Sequence, residues 1–180
     1  MLNKLRTIPI DEFSLKVHTF WQKQWMILTS GDFNTGSFNS MTIGWGSFGI
    51  MWKKPFVQVV VRPTRYTFEF MEKYDSFTLC TLPRRYRKAY DILGTKSGRE
   101  GDKIALSGIT PTSSMHVSAP CYEESDLILE CRKIYWQDID PSNFLDPGIS
   151  ANYPDKDYHR AYFGEILDVR GSEYHHNMMR

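Results

Sequence analysis

A β-branched strand bracketed by two unlike polar clusters dominates this sequence. Phe56-Val57-Gln58-Val59-Val60-Val61 is nearly all apolar, as expected for a strand buried on both faces. Lys54-Pro55 closes the connection before it, because the ring of Pro55 disfavours helix at Lys54. Upstream, a strand is predicted from Phe38 to about Phe48. It carries Asn39-Ser40-Met41-Thr42 at one end and glycines at Gly44 and Gly46. Glycine inside a strand marks a bulge or a place where something approaches the backbone closely. Downstream, Arg62-Pro63-Thr64-Arg65-Tyr66-Thr67 ends the apolar strand and starts a helix over 65–74, with Thr64 as its N-cap. Donors and glycines at one end, with arginines and threonines at the other, suit a flat polar ring lying on a sheet with an anionic tail at its rim.

The rest of the chain supplies mostly short strands. Asp11 is a suitable N-cap for a helix over 12–24, with Phe13, Val17, Phe20, Trp21 and Trp25 recurring at threes and fours. Met26–Thr29 reads as a buried strand, and Ser30-Gly31-Asp32 and Asn34-Thr35-Gly36 as turns. A strand over 77–82 stops at Pro83, and a helix over 84–93 ends at Gly94 as its C-cap. Residues 95–103 are polar and glycine-rich, a loop with one helical turn, and 104–120 show little periodicity. Strands follow over 125–135 and 158–169, separated by a loop or short helix over 140–148. The residues after 171 read as a polar tail, with the pair His175-His176 in a mobile segment. This order suits a mainly β chain, a closed or partly closed antiparallel barrel with peripheral helices. A doubly wound parallel sheet would need regular alternation of strand and helix.

At 180 residues one domain is expected, large enough for a core without staples. A net charge of +1 gives no bulk field for nucleic acid or a membrane surface. Neither a signal-peptide pattern nor a run of about 18 apolar residues occurs, so a cytoplasmic protein without a span is expected. Cys80, Cys121 and Cys131 lack metal-ligand spacing, and the scattered histidines lack acidic partners at such spacing, so no metal site is expected. The run Arg84-Arg85-Tyr86-Arg87-Lys88 reads as a solvated helix face, with a phosphate contact as its alternative.

Gly44-x-Gly46-x-x-Gly49 matches the dinucleotide fingerprint by letter and fails it by context. The fingerprint must open a helix, and Pro55 follows too soon. From Arg62–Thr67 alone, an ordinary helix cap with exposed arginines and an anion site are equally good readings. Asn39-Ser40-Met41-Thr42 is either a strand opening with a turn or a set of donors for a ring with carbonyls and nitrogens. His159-Arg160 heads the last strand, where His159 either pairs with Asp155 or Asp157 or donates to a ligand. No nucleophile elbow, triad or acid/base pair is visible, so no catalytic side chain is expected.

Taken in order, these pieces resemble the flavin reductase-like family of FMN-binding split barrels, and its flavoredoxin-like branch in particular. Asn39-Ser40-Met41-Thr42 is similar to the family's Asn-x-Met-Thr opening. Trp45-Gly46, Gly49 and Trp52-Lys53-Lys54-Pro55 continue the pattern, and Arg62-Pro63-x-Arg65-Tyr66-Thr67 resembles its phosphate-end motif. Ser97-Gly98-Arg99 with Asp102-Lys103, Glu130-Cys131-Arg132, and His159-Arg160 with Gly164-Glu165-Ile166 complete the set. The resemblance implies an FMN-binding split β-barrel and a homodimer with FMN near the subunit interface. It implies Asn39, Ser40, Met41 and Thr42 on the isoalloxazine side, and Arg62, Arg65, Tyr66 and Thr67, with Ser97, toward the phosphate. The implied activity is an FMN-dependent oxidoreductase passing electrons from NAD(P)H to a flavin, a ferric chelate or another small acceptor. Its alternative is an FMN-binding electron carrier served by a reductase partner. Chemistry at the flavin itself accounts for the missing acid/base constellation.

Overall fold

The computed structural model describes residues 5–172 and 175. In chain order the strands and helices are β1 (Arg6–Thr7), α1 (Val17–Thr19), β2 (Met26–Asp32), β3 (Ser37–Ile43), β4 (Gly46–Met51), β5 (Lys54–Val61), α2 (Tyr66–Lys73) and β6 (Ser76–Thr81). Then come α3 (Arg87–Thr95), α4 (Lys103–Ser107), β7 (Pro111–Thr112), β8 (Cys121–Tyr122), β9 (Leu127–Asp138) and β10 (Arg160–Gly171). Eight strands form one antiparallel sheet in the order β3-β2-β6-β9-β10-β5-β4, with β1 also pairing β10; β7 and β8 pair separately. The ends of that order, β3 and β4, are joined by only Gly44-Trp45.

Period-two alternation distributes the core. Leu28, Leu79, Leu129, Val57, Val59 and Val61 point into one buried cluster with Met71 of α2. Their neighbours Ile27, Cys80 and Ile128 point to the opposite face and pack beneath Ala89, Tyr90 and Leu93 of α3. Gly164 sits where β9 and β10 slip register, and a Cβ there would collide with the Phe77 ring. The β4–β5 hairpin turns on Trp52 and Lys53, at φ 52° and 60°. Paired left-handed residues are what a two-residue hairpin requires.

The mainly β architecture with peripheral helices is as expected, and several local readings are corrected. The helix expected over 12–24 shrinks to α1 followed by a π-turn over Phe20–Gln24. The widened turn buries the adjacent Phe20 and Trp21 together. Lys16, not Asp11, stands at the start of α1, and the amide of Glu12 turns back onto the carbonyl of Pro9. The strand expected over 38–48 breaks at Gly44-Trp45 into β3 and β4. Ser30-Gly31-Asp32, expected as a turn, continues β2, paired throughout with β3 and at Ser30 also with β6. Arg65, not Thr64, is the N-cap of α2, because the Thr64 hydroxyl is bonded to Asp157. Gly94 lies inside α3, whose cap is Lys96; a Cβ on Gly94 would press to 3.3 Å from Thr42. The 104–120 stretch begins with α4, capped by the Asp102 carboxylate, which accepts from the amides of Ile104 and Ala105. His175, expected in a mobile tail, is buried, and its carbonyl accepts from Ser14 N–H. His176 lies outside the described residues.

Candidate functional site

The second half of β3 is a hub from which three clefts open. One, of about 230 Å³, lies between Met41–Trp45 and the end of β5, and is lined also by Val60, Arg62, Arg65 and His159. A second, of about 240 Å³, lies between Thr42–Gly44 and α3, with Trp25, Tyr90, Asp91 and Gly94. The third is smaller, about 100 Å³, and gathers Arg65, Tyr66 and Thr67 of the α2 start with Thr95, Lys96, Ser97 and Lys103. Met41 and Arg65 line both the first and the third cleft, and Thr42 lines both the first and the second. The two ends of the motif-bearing stretch, 39–42 and 62–67, therefore meet in space.

The third cleft concentrates positive charge and hydrogen-bond donors. The first amides of α2 have no intrahelical acceptor, and the helix dipole adds positive potential there. Arg65 is exposed and makes no ion pair among the described residues. Lys103 is buried, and its ammonium donates to the carbonyls of Leu93 at 3.1 Å and Lys96 at 3.0 Å. An ammonium has three N–H donors, so one remains. Burial, and then the Arg65 charge, pull the Lys103 pKa down to about 8. Among the described residues no Asp or Glu lines this cleft.

The candidate residues divide by what their side chains do. Thr42 Oγ1 donates to the Tyr90 carbonyl at 2.7 Å, which leaves the oxygen free to accept on the cleft side. Thr67 is buried at the α2 start, where its hydroxyl accepts from Asn39 Nδ2 at 2.7 Å. Asn39 lines none of the three clefts and acts through Thr67. Ser40 is fully buried, its hydroxyl held by Thr29 and Tyr122, so its side chain faces away from the clefts. Tyr66 packs edge-on to Phe70 and under the Arg99 guanidinium. Ser97 Oγ accepts from the Arg99 amide at 3.2 Å and lines the third cleft. Arg62 lines the first cleft, not the third, and its charge is spent on Asp157 at 2.5 Å and on the Asn152 carbonyl.

His159 belongs to the same assembly. It is buried, 5.3 Å by ring centroid from Trp45, with Nδ1 2.9 Å from the Tyr153 hydroxyl. Asp157, one of the partners expected for His159, is instead taken by Arg62. Burial first, then the Arg62 charge, lower the His159 pKa to about 4, so the imidazole is neutral at neutral pH. Cys131 is completely buried in β9, and burial raises its pKa well above the ordinary thiol value, which leaves no reactive thiolate. Lys103 and Trp45 were not singled out as site residues from sequence. The signal for Lys103 was the Asp102 cap, which turns the following lysine inward beneath α3.

A family model, the flavin reductase like domain, matches residues 20–178. The chain belongs to the flavin reductase like domain family. Comparison with curated protein sequences returns no match. Among solved structures, it is similar to the flavoredoxin of Desulfovibrio vulgaris (Miyazaki F), at 24% identity and a TM-score of 0.64, over 84% of this chain and 70% of that one. It is also similar to an FMN-binding domain of a flavin reductases-like enzyme from Shewanella baltica, at 14% identity and a TM-score of 0.70, over 96% and 80% of the two chains. Nitrilotriacetate monooxygenase component B from Bacillus cereus aligns at 14% identity and a TM-score of 0.67, over 99% and 87%. These likenesses establish the fold, the split barrel of flavin reductase-like domains, as expected from the sequence. Among the described residues no helix is long and apolar enough to cross a membrane.

Proposed function

We propose that this flavin reductase-like chain binds FMN across the β3 hub and works as an FMN-dependent oxidoreductase. Electrons would pass from NAD(P)H to a flavin, a ferric chelate or another small acceptor. The observation that carries the reading is the third cleft: a helix start, Arg65, Lys103 and the Ser97 hydroxyl converge without a carboxylate. That donor set fits a phosphate monoester. It opens through Met41 and Arg65 onto a cleft of mixed polar and apolar lining, which fits a heteroaromatic ring. The similarity to FMN-binding proteins supports the same cofactor.

In this reading Arg65, Tyr66, Thr67, Ser97 and Lys103 hold the phosphate end, and Asn39 fixes the Thr67 hydroxyl. Met41 and Thr42 border the ring, Ser40 contributes only backbone, and Arg62 acts as a wall braced by Asp157. FMN when bound supplies hydride and one-electron chemistry that no side chain here provides. The protein's part is to orient the ring and exclude water. His159, held neutral, lines the cleft without adding a cation. We propose one domain acting as a homodimer in a reducing cytoplasm. Support comes from three buried free thiols and from an exposed aromatic patch in which Trp52 and Tyr135 pack against Phe163 beside Phe56.

The visible spectrum of the purified protein, with the released cofactor identified after denaturation, tests the central point. A flavin spectrum that releases FMN is expected. A colourless protein that also fails to bind added FMN would overturn the reading. Arg65→Ala with Thr67→Ala is expected to weaken FMN binding, and unchanged affinity would remove the phosphate assignment. Rapid bleaching of bound FMN by NADH or NADPH in stopped flow is expected for the reductase. Bleaching only by a reductase partner would mark an electron carrier instead.

A further inference from the structure

The excursion between β9 and β10, residues 139–159, returns to the sheet at His159, and several of its aromatic rings converge there. Tyr153 follows a short 3₁₀ turn over Pro147–Asn152 and is held by three neighbours. Phe144 stacks on it at 6.1 Å, Tyr158 lies at 5.0 Å, and the Arg62 guanidinium sits 4.9 Å from its ring centroid. Arg62 is itself tied to Asp157 and to the Asn152 carbonyl, so the end of β5 anchors the excursion. Held in this way, the Tyr153 hydroxyl meets Nδ1 of His159 at 2.9 Å.

That contact sets which nitrogen of His159 carries the proton. The imidazole is neutral at neutral pH, so it has one N–H. The Tyr153 hydroxyl has no other hydrogen-bond partner among the described residues. With the proton on Nδ1, the phenol would accept, and its own proton, on a side chain only 6% exposed, would have no acceptor. With the phenol donating, both groups are satisfied and the proton lies on Nε2. Nε2 opens on the first cleft. His159 lines that cleft and is 9% exposed, and Nε2 has no partner among the described residues, yet it is not one of the polar atoms sealed from solvent. Beside it stand Trp45, half-exposed and 5.3 Å from the His159 ring, and the apolar side chains of Met41, Ile43 and Val60. Those walls suit a flat, largely apolar body, and the one unused N–H among them needs an acceptor at its edge.

We infer that His159 is a ligand-binding residue of the first cleft: its Nε2–H donates to a carbonyl oxygen on a planar ring, and Tyr153 is the positioning residue that keeps the proton on Nε2. Two sources offer such an oxygen, the ring carbonyls of a flavin and the carboxamide of a nicotinamide. Which of them His159 meets rests on the FMN-dependent reading; the tautomer does not.

The test uses the full-length protein with ¹⁵N-labelled histidine at neutral pH. Two-bond ¹H–¹⁵N correlation spectra show which ring nitrogen bears the proton. Five histidines give five patterns, and the one missing in His159→Gln is assigned. Without ligand, His159 is expected in the Nε2–H form, and Tyr153→Phe is expected to release part of it to the Nδ1–H form. FMN, or oxidised NAD⁺ or NADP⁺ added to the FMN-treated protein, is then expected to shift the Nε2 signal to saturation. A shift with FMN alone assigns the oxygen to the flavin ring, and a shift only after the nicotinamide nucleotide assigns it to the carboxamide. For the ligand that shifts the signal, His159→Phe should weaken binding about tenfold, the worth of one hydrogen bond. His159→Gln, whose amide places an N–H near the Nε2 position, should recover most of that loss.

A proton found on Nδ1, or an Nε2 signal that neither FMN nor a nicotinamide nucleotide moves, would overturn the inference. So would His159→Gln binding no better than His159→Phe, because nearness of a ring rather than a donated hydrogen bond would then explain the shift. A tautomer unchanged in Tyr153→Phe would remove Tyr153 from it. If quenching of flavin fluorescence shows FMN bound while the Nε2 signal stays unmoved throughout, the cofactor reading stands and the His159 assignment falls. If FMN fails to bind and the nicotinamide nucleotide still moves the signal, the His159 assignment stands and the cofactor reading falls.

Discussion

Replacing Lys103 with Met separates a phosphate site from a merely structural lysine. The ammonium sits in a cavity that lowers its pKa from 10.5 to about 8, first through burial and then through Arg65. The charged form is thus disfavoured by about 3 kcal/mol before any ligand arrives. A bound phosphate dianion supplies the missing countercharge and restores the lysine's proton affinity. Between pH 7 and pH 9 the ligand-free lysine loses its proton and the liganded one keeps it, so the FMN dissociation constant should rise about tenfold over that range. Riboflavin, with the same ring and no phosphate, should bind with no such slope. In Lys103→Met the slope should vanish, and FMN should bind about 10- to 100-fold more weakly at pH 7, the loss of one charge-assisted hydrogen bond of about 1.5–3 kcal/mol. Riboflavin binding should be unchanged, which also checks that the variant is folded after Leu93 and Lys96 lose their donor. The assay is quenching of flavin fluorescence at fixed ionic strength. A slope that survives in Lys103→Met, or equal losses for FMN and riboflavin, would refute the argument.

Two further outcomes are expected. The folded-state pKa of His159 lies near 4, below its unfolded value of 6.5, so its contribution to stability is complete above pH 6.5 and is lost as pH falls toward 4. Urea unfolding at pH 7.5 and pH 5 should therefore show the stability advantage of wild type over His159→Gln shrinking by about 2 kcal/mol, and a constant difference would contradict the assigned burial. A Cβ on Gly98 would collide with Asn39 Oδ1 and come within 2.9 Å of Tyr66, so Gly98→Ala should push Asn39 off Thr67. It should cost about 1–3 kcal/mol in thermal unfolding and weaken FMN binding, whereas wild-type affinity would show that Asn39 does not support Thr67.

The strands were legible in the sequence from their apolar, β-branched runs, but Phe56–Val61, expected to be buried on both faces, has one face only partly buried. Val57, Val59 and Val61 are fully buried while Gln58 and the equally apolar Val60 are only partly so, a difference set by packing on the two faces of the sheet. The helix start at Arg65–Thr67 and the exclusion of a dinucleotide helix after Gly49 were local, set by Pro55 and Pro63. Only the tertiary structure decided which polar side chains are free to bind. Ser40 and Thr42 look alike in sequence, but Tyr122 encloses one hydroxyl, and α3 leaves the other on a cleft wall. Arg62 and Arg65 look alike too, yet Asp157, remote in sequence, neutralises the first and not the second. The N-terminal helix was misjudged because its apolar spacing fits a straight helix. In the structure Phe20 and Trp21, adjacent in sequence, both enter the core from a π-turn. Local residue types thus determined the strands, the helix start after Pro63 and the family pattern. Long-range packing decided which donors keep a free lone pair, N–H or charge, because that depends on partners tens of residues away.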